Sequence, residues 1–198
     1  SFRTGVFNIG AEGQFVVGSL SATVIGMFCP LPAIITVPLC LIAAAAAGAS
    51  VTHVDASKGM VAWAKENAKS SGLEDAPIRW LVDDCVKFVE REIRRGNTYD
   101  AIIMDPPSYG RGPKGEIWKI EDMIHPLIKL CTKILSKDAL FFLVNSYTTG
   151  LAPAVLTYMI STELKPWNGH VESQEIGLPV TDSGLVLPCG ASGRWESD

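Results

Sequence analysis

No Asp, Glu, Lys or Arg occurs between Gly13 and Val54, whereas charges recur every few residues after Asp55. An uncharged stretch of that length is buried in a core or meets lipid. Paired cysteines are also missing: Cys29, Cys40, Cys85, Cys131 and Cys189 form no CxxC. That argues against a zinc site and a disulfide framework, and favours a reducing compartment, the cytoplasm. Of the three histidines, His125 reads as part of a helix turn just before Pro126, and His53 and His170 lack partners at ligand spacing. A net charge of −4 leaves no global positive field, so nucleic acid could be met only by a local patch. The chain opens on Ser1 rather than Met, as a fragment would. Its 198 residues are enough for one domain with a full core.

Within the uncharged stretch lie two apolar runs, 15–29 and 33–49, separated by Pro30-Leu31-Pro32. Each is a little short of the roughly 20 residues that cross a bilayer. The reading is a hydrophobic helical leader over 1–42, with membrane contact through residues 14–49. The bland alternative is a buried strand and helix.

From about Ala43 the pattern changes. A strand over 51–55 ends in Asp55. A helix follows over 57–71, with Ser57 as N-cap, Met60, Val61, Ala64 and Ala68 at helical spacing, and Gly72 as its stop. Strands are expected over 78–83, 99–105 and 139–145, and helices over 85–95, 121–135 and 153–164. Two final strands, 171–177 and 184–195, read as an antiparallel edge hairpin. Strands alternating with helices of this length give an α/β domain with a mostly parallel sheet, here over 43–198.

The chemistry sits where strands end. Asp105-Pro106-Pro107 closes the apolar run Tyr99-Asp-Ala-Ile-Ile-Met and leads to Tyr109. Proline removes the N–H that would continue the strand, so the acid is held at the sheet's carboxyl edge, where α/β sheets bind ligands. Asp55, followed by Ala56 and Ser57, suits a ribose diol; its bland role is to cap the next helix. Asp84 suits the exocyclic amine of adenine, with the Cys85 N–H reaching a ring nitrogen; its bland role is again an N-cap. Three strand-end acids make a row that suits a nucleoside-bearing cofactor. Arg91, Arg94, Arg95, Arg111, Lys114 and Lys119 form a modest basic set that could meet phosphate. The segment 110–115 reads as a mobile loop.

Two resemblances follow from these residues. Phe7-Asn-Ile-Gly-Ala-Glu-Gly-Gln14 and the paired apolar runs resemble the permease subunits of sugar or nucleoside ABC transporters over about 1–48. Val51-Thr-His-Val-Asp-Ala-Ser57, Trp80-Leu-Val-Asp-Asp84 and Asp100-Ala-Ile-Ile-Met-Asp-Pro-Pro-Ser-Tyr-Gly110 resemble class I S-adenosylmethionine-dependent methyltransferases acting on large-subunit ribosomal RNA. The second resemblance implies a Rossmann-like fold, S-adenosylmethionine as cofactor and RNA as substrate. It also implies Asp55 at the ribose, Asp84 at the adenine, and Asp105-Pro106-Pro107 between methyl donor and base. Tyr109 is itself suited to stack on a flipped base; its bland role is a loop aromatic packing on Pro107.

Two departures shape the expectation. No glycine lies between Gly26 and Gly48, so the family's first strand and glycine-rich turn are expected to be missing just before Ala43. The chain then reads as a chimera, impaired in cofactor binding, with a membrane-inserted permease fragment on a non-catalytic domain as the rival. Asn145-Ser-Tyr-Thr-Thr-Gly150 carries no thiol after the fourth strand, which disfavours C5 chemistry through a covalent adduct. Cys189 reads as a small buried residue. An NAD-linked oxidoreductase is disfavoured by the absence of GxGxxG.

Overall fold

The structure, a computed structural model, describes residues 5–10, 49–112, 115–148 and 150–198, the first of these segments as backbone. Its centre is a seven-stranded sheet. In chain order the elements are β1 (Gly5–Gly10), β2 (Ser50–Asp55), α1 (Lys58–Ser70), β3 (Ile78–Val82), α2 (Cys85–Arg95) and β4 (Ala101–Asp105). A small hairpin of β5 (Tyr109–Arg111) and β6 (Ile117–Lys119) precedes α3 (Ile120–Thr132). Then come β7 (Phe141–Ser146), α4 (Pro153–Glu163), β8 (His170–Pro179) and β9 (Val186–Glu196).

The strand order is β3-β2-β1-β4-β7-β9-β8. The five strands from β3 to β7 are parallel; β9 runs antiparallel to β7, and β8 forms the edge. This is the mostly parallel sheet with an antiparallel C-terminal hairpin that the sequence implies. One expectation fails. The first strand is not missing: β1 fills the central position, in register with β2 and β4, so the sheet does not begin at residue 43. Val6-Phe-Asn-Ile-Gly10 is short, half apolar and closed by glycine, which suits a buried strand as well as a transporter motif. The proposed leader beyond it and the runs at 15–29 and 33–49 lie outside the described residues. No helix among the described residues is long and apolar enough to cross a membrane.

Local sequence sets the helix ends. The Ser57 hydroxyl accepts the Met60 N–H at 3.3 Å and starts α1. The Asp84 carboxylate accepts the Lys87 N–H at 2.9 Å and starts α2, which stops at Gly96 with φ +69°. Helices α2, α3 and α4 pack in that order beside one another, and α4 also packs on β8 and β9. Ile102, Met104, Phe88, Ile128, Phe142, Leu156 and Trp195 belong to one core.

Two contacts in this frame carry testable consequences. A methyl added at Gly190 of β9 would lie 1.8 Å from the Ser146 carbonyl oxygen and 2.8 Å from the Tyr147 Cα. Backbone cannot yield as a side chain can, so Gly190→Ala should cost about 3 kcal/mol. Thermal unfolding should show it as a midpoint lowered by about 6–12 °C.

Glu92 is fully buried in α2 and receives Arg95 at 2.7 Å, the Asn97 amide at 2.9 Å and the Tyr99 hydroxyl at 2.9 Å, with Arg79 at 3.9 Å. Burial alone would raise its pKa, but the hydrogen bonds from Asn97, Arg95 and Tyr99 outweigh it and the pKa is lowered. Its contribution is therefore present above the ordinary glutamate range and lost as pH falls through the depressed value. Glu92→Gln should cost about 2 kcal/mol at pH 7, with the gap to the parent closing in acid denaturation series.

Candidate active site

The carboxyl ends of β3, β2, β1, β4 and β7 form one edge, and connections leave β1 toward β2 on one side and reach β4 on the other. A crevice opens at such a reversal of strand order. Register places the acids along it. Val54 pairs with Ile9, so Asp55 ends β2 beside the end of β1; Gly10 pairs with Asp105 at the end of β4. Asp55 pairs with Val82, and the Asp83 N–H donates to the Asp55 carbonyl at 3.0 Å, which brings Asp84 into the same row. Asp55 and Asp105 are thus two strand spacings apart, about 10 Å, with a glycine between them.

Asp55 is only 1% exposed. One carboxylate oxygen, Oδ1, accepts the Ser57 N–H at 2.6 Å; the other, Oδ2, is buried without a hydrogen-bond partner. Burial, partly offset by the Ser57 bond, raises its pKa to about 6. A buried carboxylate oxygen left unbonded is costly, and a pair of hydroxyl donors would satisfy it. Two residues earlier His53, 2% exposed, meets Trp80 edge-on at 5.2 Å, and burial lowers its pKa to about 4. It is a neutral core histidine.

The second acid pair is more occupied than the sequence suggests. Asp83 is ion-paired with Arg91, and Asp84 caps α2 while lying 3.9 Å from the Lys87 ammonium. The capping role is therefore the one the structure displays for Asp84, which stays half exposed at the rim. The Cys85 thiol points back to the Val54 carbonyl at 3.8 Å, and burial pushes its pKa far up. It is no nucleophile. Ala56 and Ser57 follow Asp55 in the turn into α1. The basic face is partly neutralised from within, because Arg91 pairs with Asp83 and Arg95 with Glu92.

Asp105 is buried, and Pro106 and Pro107 carry the chain from it into β5. Gly110 and Arg111, the first residues of the stretch expected to be a mobile loop, belong to β5, which pairs with β6 so that Tyr109 lies opposite Lys119 and Gly110 opposite Trp118, while residues 113–114 of that stretch lie outside the described residues. Trp118 donates its indole N–H to the Pro107 carbonyl at 2.7 Å, and the Ile120 N–H reaches the Ser108 carbonyl at 3.1 Å. These bonds fix the Asp-Pro-Pro segment from its far side. Tyr109 projects, 51% exposed, with its hydroxyl accepting from Arg111 at 3.0 Å.

Sequence reasoning missed two contributors. Gly10 was assigned to the transporter motif, although an apolar run ending in glycine was the available signal. Tyr147, two residues past Asn145 on the exit of β7, lies close enough to Asp105 and Cys189 to feel both; burial and then these two raise its pKa to about 12. Among the described residues no group of three His, Cys, Asp or Glu could hold a metal.

No family model matches the chain. Ribosomal RNA large subunit methyltransferase K of Neisseria meningitidis is 29% identical over 105 residues, covering 52% of this chain and 30% of that protein. The guanosine ABC transporter permease protein NupP of Bacillus subtilis is 56% identical over 48 residues, 24% of this chain and 14% of the permease. Among solved structures, the SAM-dependent methyltransferase from Agrobacterium tumefaciens is 35% identical with a TM-score of 0.76, covering all of this chain and 57% of that one. The methyltransferase SMU.776, solved with SAH, shares the fold at 19% identity and a TM-score of 0.65, over 96% of this chain and 44% of its own. The chain thus has the Rossmann-like methyltransferase fold, and it spans about a third of the first curated relative and just over half of the first structural neighbour.

Proposed function

We propose that this chain carries the cofactor and acceptor site of an S-adenosylmethionine-dependent methyltransferase acting on a nucleobase of ribosomal RNA. The observation that carries the reading is the Asp55 carboxylate, buried at the rim of the crevice with Oδ2 unbonded. Its residues fit a nucleoside: Asp55 for the ribose diol, Ala56 and Ser57 in the turn beside it, and Asp84 with the Cys85 N–H for the adenine. When bound, S-adenosylmethionine supplies an electrophilic methyl group.

The protein's share of the work is alignment and proton handling. An acceptor nitrogen or oxygen of the base must stand about 3 Å from the methyl carbon, in line with its departing bond. Pro106 and Pro107 hold the acceptor side of that line, and the Trp118–Pro107 bond keeps them from moving. Asp105 accepts a hydrogen bond from an attacking amine and offsets the positive charge it gains. Tyr109 stacks on a base turned out of its helix. No thiol is required. RNA is the substrate class of this reading because curated relatives of the chain are named ribosomal RNA large subunit methyltransferases.

We further infer that the N-terminal 48 residues share their origin with a nucleoside permease and were joined to a methyltransferase at the alanine run. Impairment of cofactor binding was expected from a missing first strand; β1 supplies that strand and ends in Gly10. The reading is therefore a chain that retains cofactor binding. The test is transfer of tritium from methyl-labelled S-adenosylmethionine to an in vitro transcript of large-subunit ribosomal RNA. Label in the RNA supports the reading; a protein that binds SAH yet labels no transcript, fragment or nucleoside removes the RNA assignment. Amplification across residues 30–60 from source DNA tests the junction, and a product lacking it would mark an assembly artefact.

A further inference from the structure

Tyr109 and Tyr147 are both large, exposed side chains, at 51% and 44%, on the exits of neighbouring parallel strands. Their loops are tied together. Ser108 and Thr148, each next to one of the tyrosines, share a hydroxyl–hydroxyl hydrogen bond of 2.7 Å. Thr148 is itself oriented by its N–H, which donates to the Ser146 hydroxyl at 3.2 Å. Behind Tyr147 the strand β9 comes so close at Gly190 that a methyl there would be 2.8 Å from the Tyr147 Cα. Tyr147 therefore has fixed backbone on both sides, and its ring is left partly uncovered beside Asp105.

Two half-exposed aromatic rings on braced, mutually bonded loops present apolar faces at the same edge of the sheet as Asp105. Planar acceptors are held by stacking on such faces, and stacking tolerates any base. We propose that Tyr147 is a positioning residue whose ring forms the second wall, opposite Tyr109, of a slot for the acceptor nucleobase, with the Ser108–Thr148 bond setting the separation of the walls. This deepens the methyltransferase reading and rests on it. Burial and the Asp105 charge keep the phenol protonated, so Tyr147 offers a ring and a neutral hydroxyl while Asp105 remains the proton acceptor.

The experiment measures steady-state methylation of the same ribosomal RNA transcript, SAH affinity by calorimetry and the thermal midpoint, for the parent, Tyr147→Ala, Tyr147→Phe and Thr148→Val. Tyr147→Ala should raise the RNA KM by about 10–100-fold, with SAH affinity and midpoint within error of the parent. Tyr147→Phe should restore KM to within about threefold, because the ring is kept. Thr148→Val should show a smaller KM increase in the same direction. Parent-like KM in Tyr147→Ala overturns the inference, as does a Phe variant as defective as Ala, which would assign the work to the hydroxyl. A parent protein that does not bind SAH is a different result: it removes the methyltransferase reading and this inference with it.

Discussion

Asp55→Asn should weaken S-adenosyl ligand binding by about 10–100-fold while leaving the unliganded protein at least as stable as the parent at neutral pH. The first half follows from charge. Two ribose hydroxyls donating to a buried carboxylate make charge-assisted bonds, and an amide accepts at only one of its two positions. The second half follows from burial, which raises the Asp55 pKa to about 6. A raised acid adds stability that is complete below its unfolded value, near 4, and is lost as pH climbs through 6, so at pH 7 the ionised group is a liability.

His53 runs the other way. Its pKa is lowered to about 4, so the folded state loses stability as pH falls from the ordinary histidine range toward 4. The two slopes oppose each other between about pH 4 and 6 and partly cancel in the parent. In Asp55→Asn only the histidine slope remains, and chemical denaturation across that window should show stability rising steadily with pH. A variant that lost ligand binding and stability together would instead mark Asp55 as a structural cap.

The second large effect is at Asp105. Asp105→Ala should lower kcat for methyl transfer by about 10²–10⁴-fold, because the attacking group loses both its proton acceptor and the charge that offsets its own. RNA KM should change far less, since the stacking walls stay in place. Asp105→Asn, which keeps the shape and one acceptor oxygen, should fall between the two. Single-turnover measurements with preformed protein–RNA complex separate the chemical step from binding. An Asp105→Ala protein with parent kcat and a raised KM would move Asp105 from chemistry to substrate binding.

How much of this was legible in the sequence differs by element. Strands β2, β3, β4 and β7 were, because each is an apolar run closed by a polar or acidic residue, and β2 and β3 are each followed by a helix with a side-chain cap. The row of acids was legible for the same reason: parallel strands with equivalent ends put their last residues on one edge. Strand β1 was not. Its five informative residues match a transporter motif, it stands some forty residues ahead of β2 in sequence, and only pairing with both β2 and β4 declares its role. The β5–β6 hairpin was hidden because β5 runs into the Gly-, Pro- and Lys-rich stretch 110–115, and only the Trp118 bond to the Pro107 carbonyl shows that the two short strands are anchored together.

Side-chain partners were the least legible. Nothing in the spacing of Asp83 and Arg91 says that they pair, or that Glu92 gathers Arg95, Asn97 and Tyr99 rather than facing solvent. A helix periodicity places Glu92 on a face; only the packed neighbours decide that the face is buried. In sequence Tyr147 is one polar aromatic in a segment whose notable feature is its lack of a thiol. Its relation to Asp105 depends on β4 pairing with β7, and that to Cys189 on β9 folding back against β7, contacts between residues far apart in sequence.

Calorimetric titration of SAH into the full chain at pH 8 probes the nucleoside grip with no acceptor involved. One site per chain at a Kd of about 1–100 µM is the outcome expected from a paired diol and a seated adenine, abolished or much reduced in Asp55→Asn. Absence of heat up to millimolar ligand, or an unchanged Kd in that variant, would contradict it.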